Sequence, residues 1–230
     1  MILKNRFFSP ILILAFLLLN CSKNNKIETD NDSCSFIDFK YYKGEKDNLG
    51  KLSNDYMLIA FDTSYADAEI KNFISSLKDF DQNYTYKIHA ATQYRYKEVP
   101  LKFTSSRNCE EITQIISKLH QHPIVAYAHY TMQTDYCKNL IWEPMGNLCI
   151  NSYGSDFYVK VKDSSNLSDL NKMIAQTKTE LIRKNAFTSK IYTVRATKSS
   201  TGDALAMANL FFESGLFEFS EPGISKYPRV

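Results

Sequence analysis

Glycine is scarce in this chain, with seven in 230 residues. Nucleophile elbows of the form G-x-S-x-G need glycine at fixed offsets, because the backbone there turns sharply. None occurs. No C-x-x-C pair is present, and His120 and His122 lie two apart at a helix end and its following loop, so no metal-ligand spacing stands out. Cys109 with His120 or His129 makes a Cys–His pair only on paper, because nothing around them marks a nucleophile and Cys109 also fits a disulfide. The chain is therefore read as having no catalytic residues, no metal and no cofactor. An excess of one charge is also missing. Without Lys4 and Arg6, 26 basic residues face 25 acidic ones, a net charge of +1 that gives no electrostatic case for nucleic acid. A bilayer span needs roughly 20 apolar residues, and the run from Ile11 to Leu19 is too short.

What the N-terminus does have is order. Lys4 and Arg6 come first, then that apolar run, then Leu18-Leu19-Asn20-Cys21. This is the plan of an export signal. Its last four residues resemble a bacterial lipobox, in which the cysteine is acylated and the chain is cut before it. The reading is a signal peptide over 1–20, a lipidated (palmitate-bearing) Cys21, and a tether over 21–50. Ser22–Asp32 is too polar to bury anything and is expected to be disordered. The protein would then sit on a membrane, the outer one, through its lipid.

Four cysteines remain in the mature chain: Cys34, Cys109, Cys137 and Cys149. In an exported protein an even count suggests disulfides, and four cysteines allow three connectivities. Cys137 and Cys149 flank "KNLIWEPMGNL" and would staple it, leaving Cys34 with Cys109. The other reading is four buried free thiols.

Periodicity orders the rest. Met57–Asp62 reads as a strand. Ile70, Phe73, Ile74 and Leu77 fall at i, i+3, i+4 and i+7, the stripe of an amphipathic helix. A β-rich stretch with a turn between Gln93 and Glu98 follows. A second helix carries Ile112, Ile115, Ile116 and Leu119, with Asn108 as its N-cap and Pro123 just past its end. "IVAYAHYTMQ" closes this unit. The second half repeats the order with "FYVKVKD", a helix on Leu167, Leu170 and Ile174, a hairpin around 186–189, the helix in "TGDALAMANLFFESG", and "LFEFSE". The fold class expected is α+β, with two ferredoxin-like β-α-β-β-α-β antiparallel sandwiches in tandem. They occupy 51–136 and 153–230, with a connector over 137–152.

Such a unit leaves one sheet face open. In the second unit Phe157, Val159, Val161, Tyr192, Val194 and Ala196 point at the helices. The open face then carries Tyr158, Ile191 and Leu216 beside Lys160, Arg195 and Glu218. That mixture suits a protein-binding surface as well as a wetted sheet.

"GDALAMANLFFESGLFEFSEPG", Gly202 to Gly223, resembles the end of the pro-region of subtilisin-like serine proteases, chiefly lipoprotein forms from Bacteroidetes. The helix with Ala-Asn-Leu-Phe, the Glu-Ser-Gly-Leu-Phe that follows and the acidic residue before proline carry the likeness. "FYVKVKD" and the lipobox fit it too. It is strongest over 157–223 and weak in the first half. It departs from the family in lacking the protease, whose glycine-rich aspartate, histidine and serine motifs are absent. The resemblance implies a free-standing pro-domain that inhibits or chaperones a subtilisin-like protease. It also implies that Ser220–Val230 leaves its sheet to lie in the protease cleft. Tyr227 would fill an apolar subsite, and Val230 would present its carboxylate. Two other readings stand beside it: a lipid-anchored binding module without a protease partner, and a relic without activity.

Overall fold

Every residue from Met57 to Phe61 is fully buried. A strand whose alternate side chains are all inside must be covered on both faces. A computed structural model, describing residues 34–90, 96–134 and 149–228, shows what covers it.

The elements in chain order are β1 (Phe39–Tyr42), β2 (Glu45–Asn48), β3 (Lys51–Asp62), α1 (Asp67–Ser76), β4 (His89–Ala90), β5 (Tyr96–Lys102), α2 (Cys109–His120) and β6 (Val125–Thr134). The second half adds β7 (Cys149–Val161), α3 (Ser168–Thr177), β8 (Glu180–Lys184), β9 (Ile191–Arg195), α4 (Ala204–Glu213) and β10 (Phe217–Pro228). The molecule is thus a mixed α/β protein, with antiparallel strand pairing and four helices among the described residues. In the first half the strands lie in the order β4-β5-β3-β6. In the second they lie as β8-β9-β7, with β10 on the other edge of β7. From residue 32 onward the chain forms one compact unit.

Each half has its own core. Met57, Ile59 and Phe61 meet Ile70, Ile74, Ile112 and Leu119 from α1 and α2. Phe157, Val159 and Val161 meet Leu170, Ala208 and Phe211 from α3 and α4. The helical stripes are therefore the buried faces, at roughly 1.5–3 kcal/mol per large side chain fully buried. Helix α2 starts where its sequence says: Asn108 Oδ1 accepts from Glu111 N–H, and a Glu111 carboxylate oxygen accepts from Asn108 N–H, each at 2.9 Å. Of the turn expected between Gln93 and Glu98, residues 96–98 belong to β5. Residues 91–95 lie outside the described residues.

The other face of β3, with Leu58 and Ala60, is closed by tyrosines: Tyr127 from β6 and Tyr227 from the end of β10. This corrects the expected tail. Pro222 and Gly223 do not end the last strand. β10 runs on to Pro228, pairing with β7 as far as Pro228 opposite Cys149, and a register shift between Pro222 and Ile224 absorbs the pair. Proline is tolerated because β10 is an edge strand, where a missing N–H costs no ladder bond. Tyr227 is 5% exposed, and its ring lies 4.7 Å from that of His89. Val230 lies outside the described residues.

Two boundaries also move. Residues 39–48, expected within a tether, form the hairpin β1–β2. The hairpin packs on α4, where Tyr41 stacks on Phe212 at 4.3 Å and Asn209 Nδ2 donates to the Phe39 carbonyl at 3.0 Å. Asn209 is buried for this reason. The connector's last residues, 149–152, belong to β7. Cys34 and Cys109 form a disulfide that pins the start of the hairpin segment to the first turn of α2. Cys149 is disulfide-bonded as well, while Cys137 and Cys21 lie outside the described residues.

Candidate functional site

β6 is held on one edge by β3 from Val125 to Gln133. Its other edge meets β7 only at Met132, Gln133 and Thr134. Beyond those three pairs β7 turns to β9, which it joins from Asp156 to Lys160. The sheet forks. Among the described residues no strand pairs with the second edge of Val125–Thr131, and the segment after β9 forms the opposite wall.

Side chains stand in for the missing strand. Ala128 N–H, facing the fork, donates to His120 Nε2 at 3.1 Å. The Tyr130 carbonyl accepts from Ser152 Oγ at 3.3 Å. Along an antiparallel strand every second residue turns its main chain to the same edge, so positions 128 and 130 present theirs to the opening, up to the register shift between Val125 and Tyr127. Two adjoining cavities fill it, of about 440 and 220 Å³, and Ala126, Tyr127, Ala196, Thr197 and Lys198 line both.

The floor is rigid. The His129 ring is stacked between Tyr127 at 4.6 Å and Tyr153 at 4.5 Å. Its Nδ1 lies 2.9 Å from the Tyr153 carbonyl, which only accepts, so Nδ1 carries the hydrogen. Tyr153 Oη donates to Asp203 at 2.7 Å, and Asp203 also caps α4 through the Ala206 N–H at 2.9 Å. Burial pushes the Tyr153 and Tyr127 hydroxyls well above their ordinary range, helped by Asp203 and Glu98 respectively. Burial also pulls His129 down, and pulls His120 down to about 4, helped there by the neighbouring His129 and Lys198.

Both histidines are therefore neutral when folded, and the unfolded chain takes up protons first. Stability is complete above about pH 6.5 and falls as the pH drops toward 4. Urea midpoints should decline between pH 7 and pH 5, and His120→Gln should flatten part of that decline. Equal midpoints at pH 7 and pH 5 contradict this assignment.

Beside the larger cavity, sharing Tyr96, Tyr127 and Ser155 with it, lies a third of about 70 Å³. Here residues from both halves of the sheet meet. Glu98 accepts from the hydroxyls of Tyr127 and Tyr227, and from Ser225 Oγ at 3.4 Å. Arg195 makes a bidentate pair with Asp156, at 2.6 and 3.0 Å, and its guanidinium sits 5.1 Å from the Tyr96 ring centre.

The sequence-derived candidates scatter. Tyr158 lines this small cavity. Ile191 lies opposite Lys160 on β9 and is partly buried. Leu216 is not on the open face; it packs against the second core, because the chain entering β10 turns inward there. Tyr227 is in the sheet, so the three do not form one surface with it. His120 serves Ala128, while the His122 ring packs on Phe73 at 4.4 Å, so the two do not converge. Cys109 is spent in its disulfide. No group of three or more metal-ligating side chains is found among the described residues, and no helix among them is long and apolar enough to cross a membrane. Glu98 and the edge at 126–130 carry no signal in the sequence.

No family model matches this chain, and no curated protein matches its sequence. Among solved structures it is similar to the small subunit of acetolactate synthase from Thermotoga maritima, at 9% identity. That match covers 76% of this chain and 97% of the other, with a TM-score of 0.28, too loose to carry an argument.

Proposed function

We propose that the protein is a non-enzymatic, lipid-anchored binding module that takes an extended polypeptide by strand addition along β6. The observation that carries this is the fork. Among the described residues a strand edge lies unpaired over seven residues beside a groove of several hundred Å³, with single side chains serving its main-chain groups. Exposed strand edges are sites at which another chain adds hydrogen bonds, with affinity from main chain and specificity from alternate side chains. Two ferredoxin-like units joined through β6 and β7 give the fork its origin, and the strand orders of the two halves support that reading. Cys21 supplies the anchor at the outer membrane; fatty-acid labelling that persists in Cys21→Ser would overturn that part.

The test uses peptides selected against the purified protein from a displayed random library. Selected sequences should alternate as strands do. Methylating their main-chain nitrogens at alternate residues should weaken binding at least tenfold, about 1.4 kcal/mol. Binding indifferent to methylation means that no strand is added.

A second reading keeps the likeness to protease pro-regions. Its support is the surface of Tyr158, Lys160 and Ile191 on the face away from the helices of the second half. In that reading the protein inhibits or chaperones a subtilisin-like protease through this face, without the tail. Inhibition of such a protease that Tyr158→Ala and Ile191→Ala weaken supports it; full activity at saturating protein removes it.

A further inference from the structure

The small cavity beside the groove has the makings of a side-chain pocket. Three tyrosines, Tyr96, Tyr127 and Tyr158, line it. Its charged lining residues are Glu98, Asp156 and Arg195. Asp156 and Arg195 cancel in their bidentate pair, so one negative charge is left over, on Glu98. The tyrosine hydroxyls that reach Glu98 donate to it without neutralising it.

Two further observations point to an occupant. Ser155 Oγ is buried with no hydrogen-bond partner among the described residues, and Ser155 lines both this cavity and the groove. Buried hydroxyls are seldom left unpaired. Gly154 also lines the cavity, and a Cβ there would stand 3.5 Å from Glu98 Oε1 and 3.6 Å from Tyr127 Oη. The missing side chain leaves the space in front of the carboxylate open. A volume of about 70 Å³ admits a head group of a few heavy atoms.

We propose that this cavity is a specificity pocket for a lysine side chain of the polypeptide bound in the groove. An ammonium carries three donors and no acceptor. Glu98 supplies the opposing charge, Ser155 Oγ rotates to accept, and the tyrosine faces favour a cation. A carboxylate ligand is excluded by the charge, and a purely apolar one leaves Ser155 unpaired. The pocket opens beside Tyr127, so a strand paired with β6 can send one side chain into it. The proposal rests on the strand-addition reading.

The experiment separates the two. The probes are acetyl-Thr-Val-Lys-Val-Thr-amide, the same peptide with norleucine in place of lysine, and butylammonium chloride. Each is titrated into the isotope-labelled protein while the amide resonances of Gly154, Gly223, Ala126, Ala128 and Tyr130 are followed. The lysine peptide is expected to bind at least tenfold tighter than the norleucine peptide. Gly154→Val, which blocks the space without changing charge, and Glu98→Gln should each remove that difference. Equal binding of the two peptides overturns the pocket and leaves the groove. Butylammonium shifting Gly154 and Gly223 while neither peptide binds supports the pocket and overturns the groove. No response to any probe, with water the only occupant, overturns both. Should one variant fail to fold, the other still decides.

Discussion

Tyr153→Ala should cost about 3–5 kcal/mol, among the largest losses of any single substitution here. Tyr153 is 2% exposed. Its ring stacks on His129 of the first half, and its hydroxyl serves the residue that caps α4 in the second. Truncation empties the place where the two halves touch and takes one of its donors from the half-buried Asp203 carboxylate. Tyr153→Phe keeps the ring and should lose only the hydrogen-bond part, about 1–3 kcal/mol. Urea unfolding of the three proteins measures both. If Tyr153→Ala and Tyr153→Phe lose the same amount, the stacking across the halves contributes nothing and the account of the interface is wrong.

Removing the Cys34–Cys109 disulfide should cost about 2–5 kcal/mol. The bond closes a loop of 75 residues, long enough to restrict the unfolded chain considerably. It also fixes the start of a segment that reaches α4, where Tyr41 stacks on Phe212 and donates to Glu213 at 3.0 Å. The double variant Cys34→Ala/Cys109→Ala should unfold at lower urea and lose exchange protection first in 34–50. Reduction of the wild type should do the same. A double variant as stable as the parent would show that the bond only records proximity.

Much of this fold is written in local pattern. Ile70 and Ile74, or Phe157, Val159 and Val161, declare their buried faces by spacing alone, and Asn108 declares a helix start through one side chain. The fork is not written that way. It depends on β6 and β7 sharing only three residue pairs before they part, a length that no turn signal marks. The hairpin escaped for a related reason. "FKYYKGEKDN" has its turn at Lys43 and Gly44, both at positive φ, but β2 is exposed throughout and offers no apolar alternation. Its support comes from α4, some 170 residues away in sequence. Pro222 and Gly223 misled in the other direction. They are ordinary strand breakers that an edge strand absorbs as a register shift. Glu98 could not be singled out among 25 acidic residues, because what marks it is the arrival of Tyr127 and Tyr227 from two other strands.

The central claim is that β6 offers a strand edge to another chain. Amide hydrogen exchange, residue by residue, with and without a selected peptide, tests it most directly. Bound peptide should slow exchange at Ala128 and Tyr130, whose main chain faces the fork, and leave Tyr127 and His129, already facing β3, unchanged. Protection that appears instead on β8 or α3, or nowhere on β6, would contradict the account.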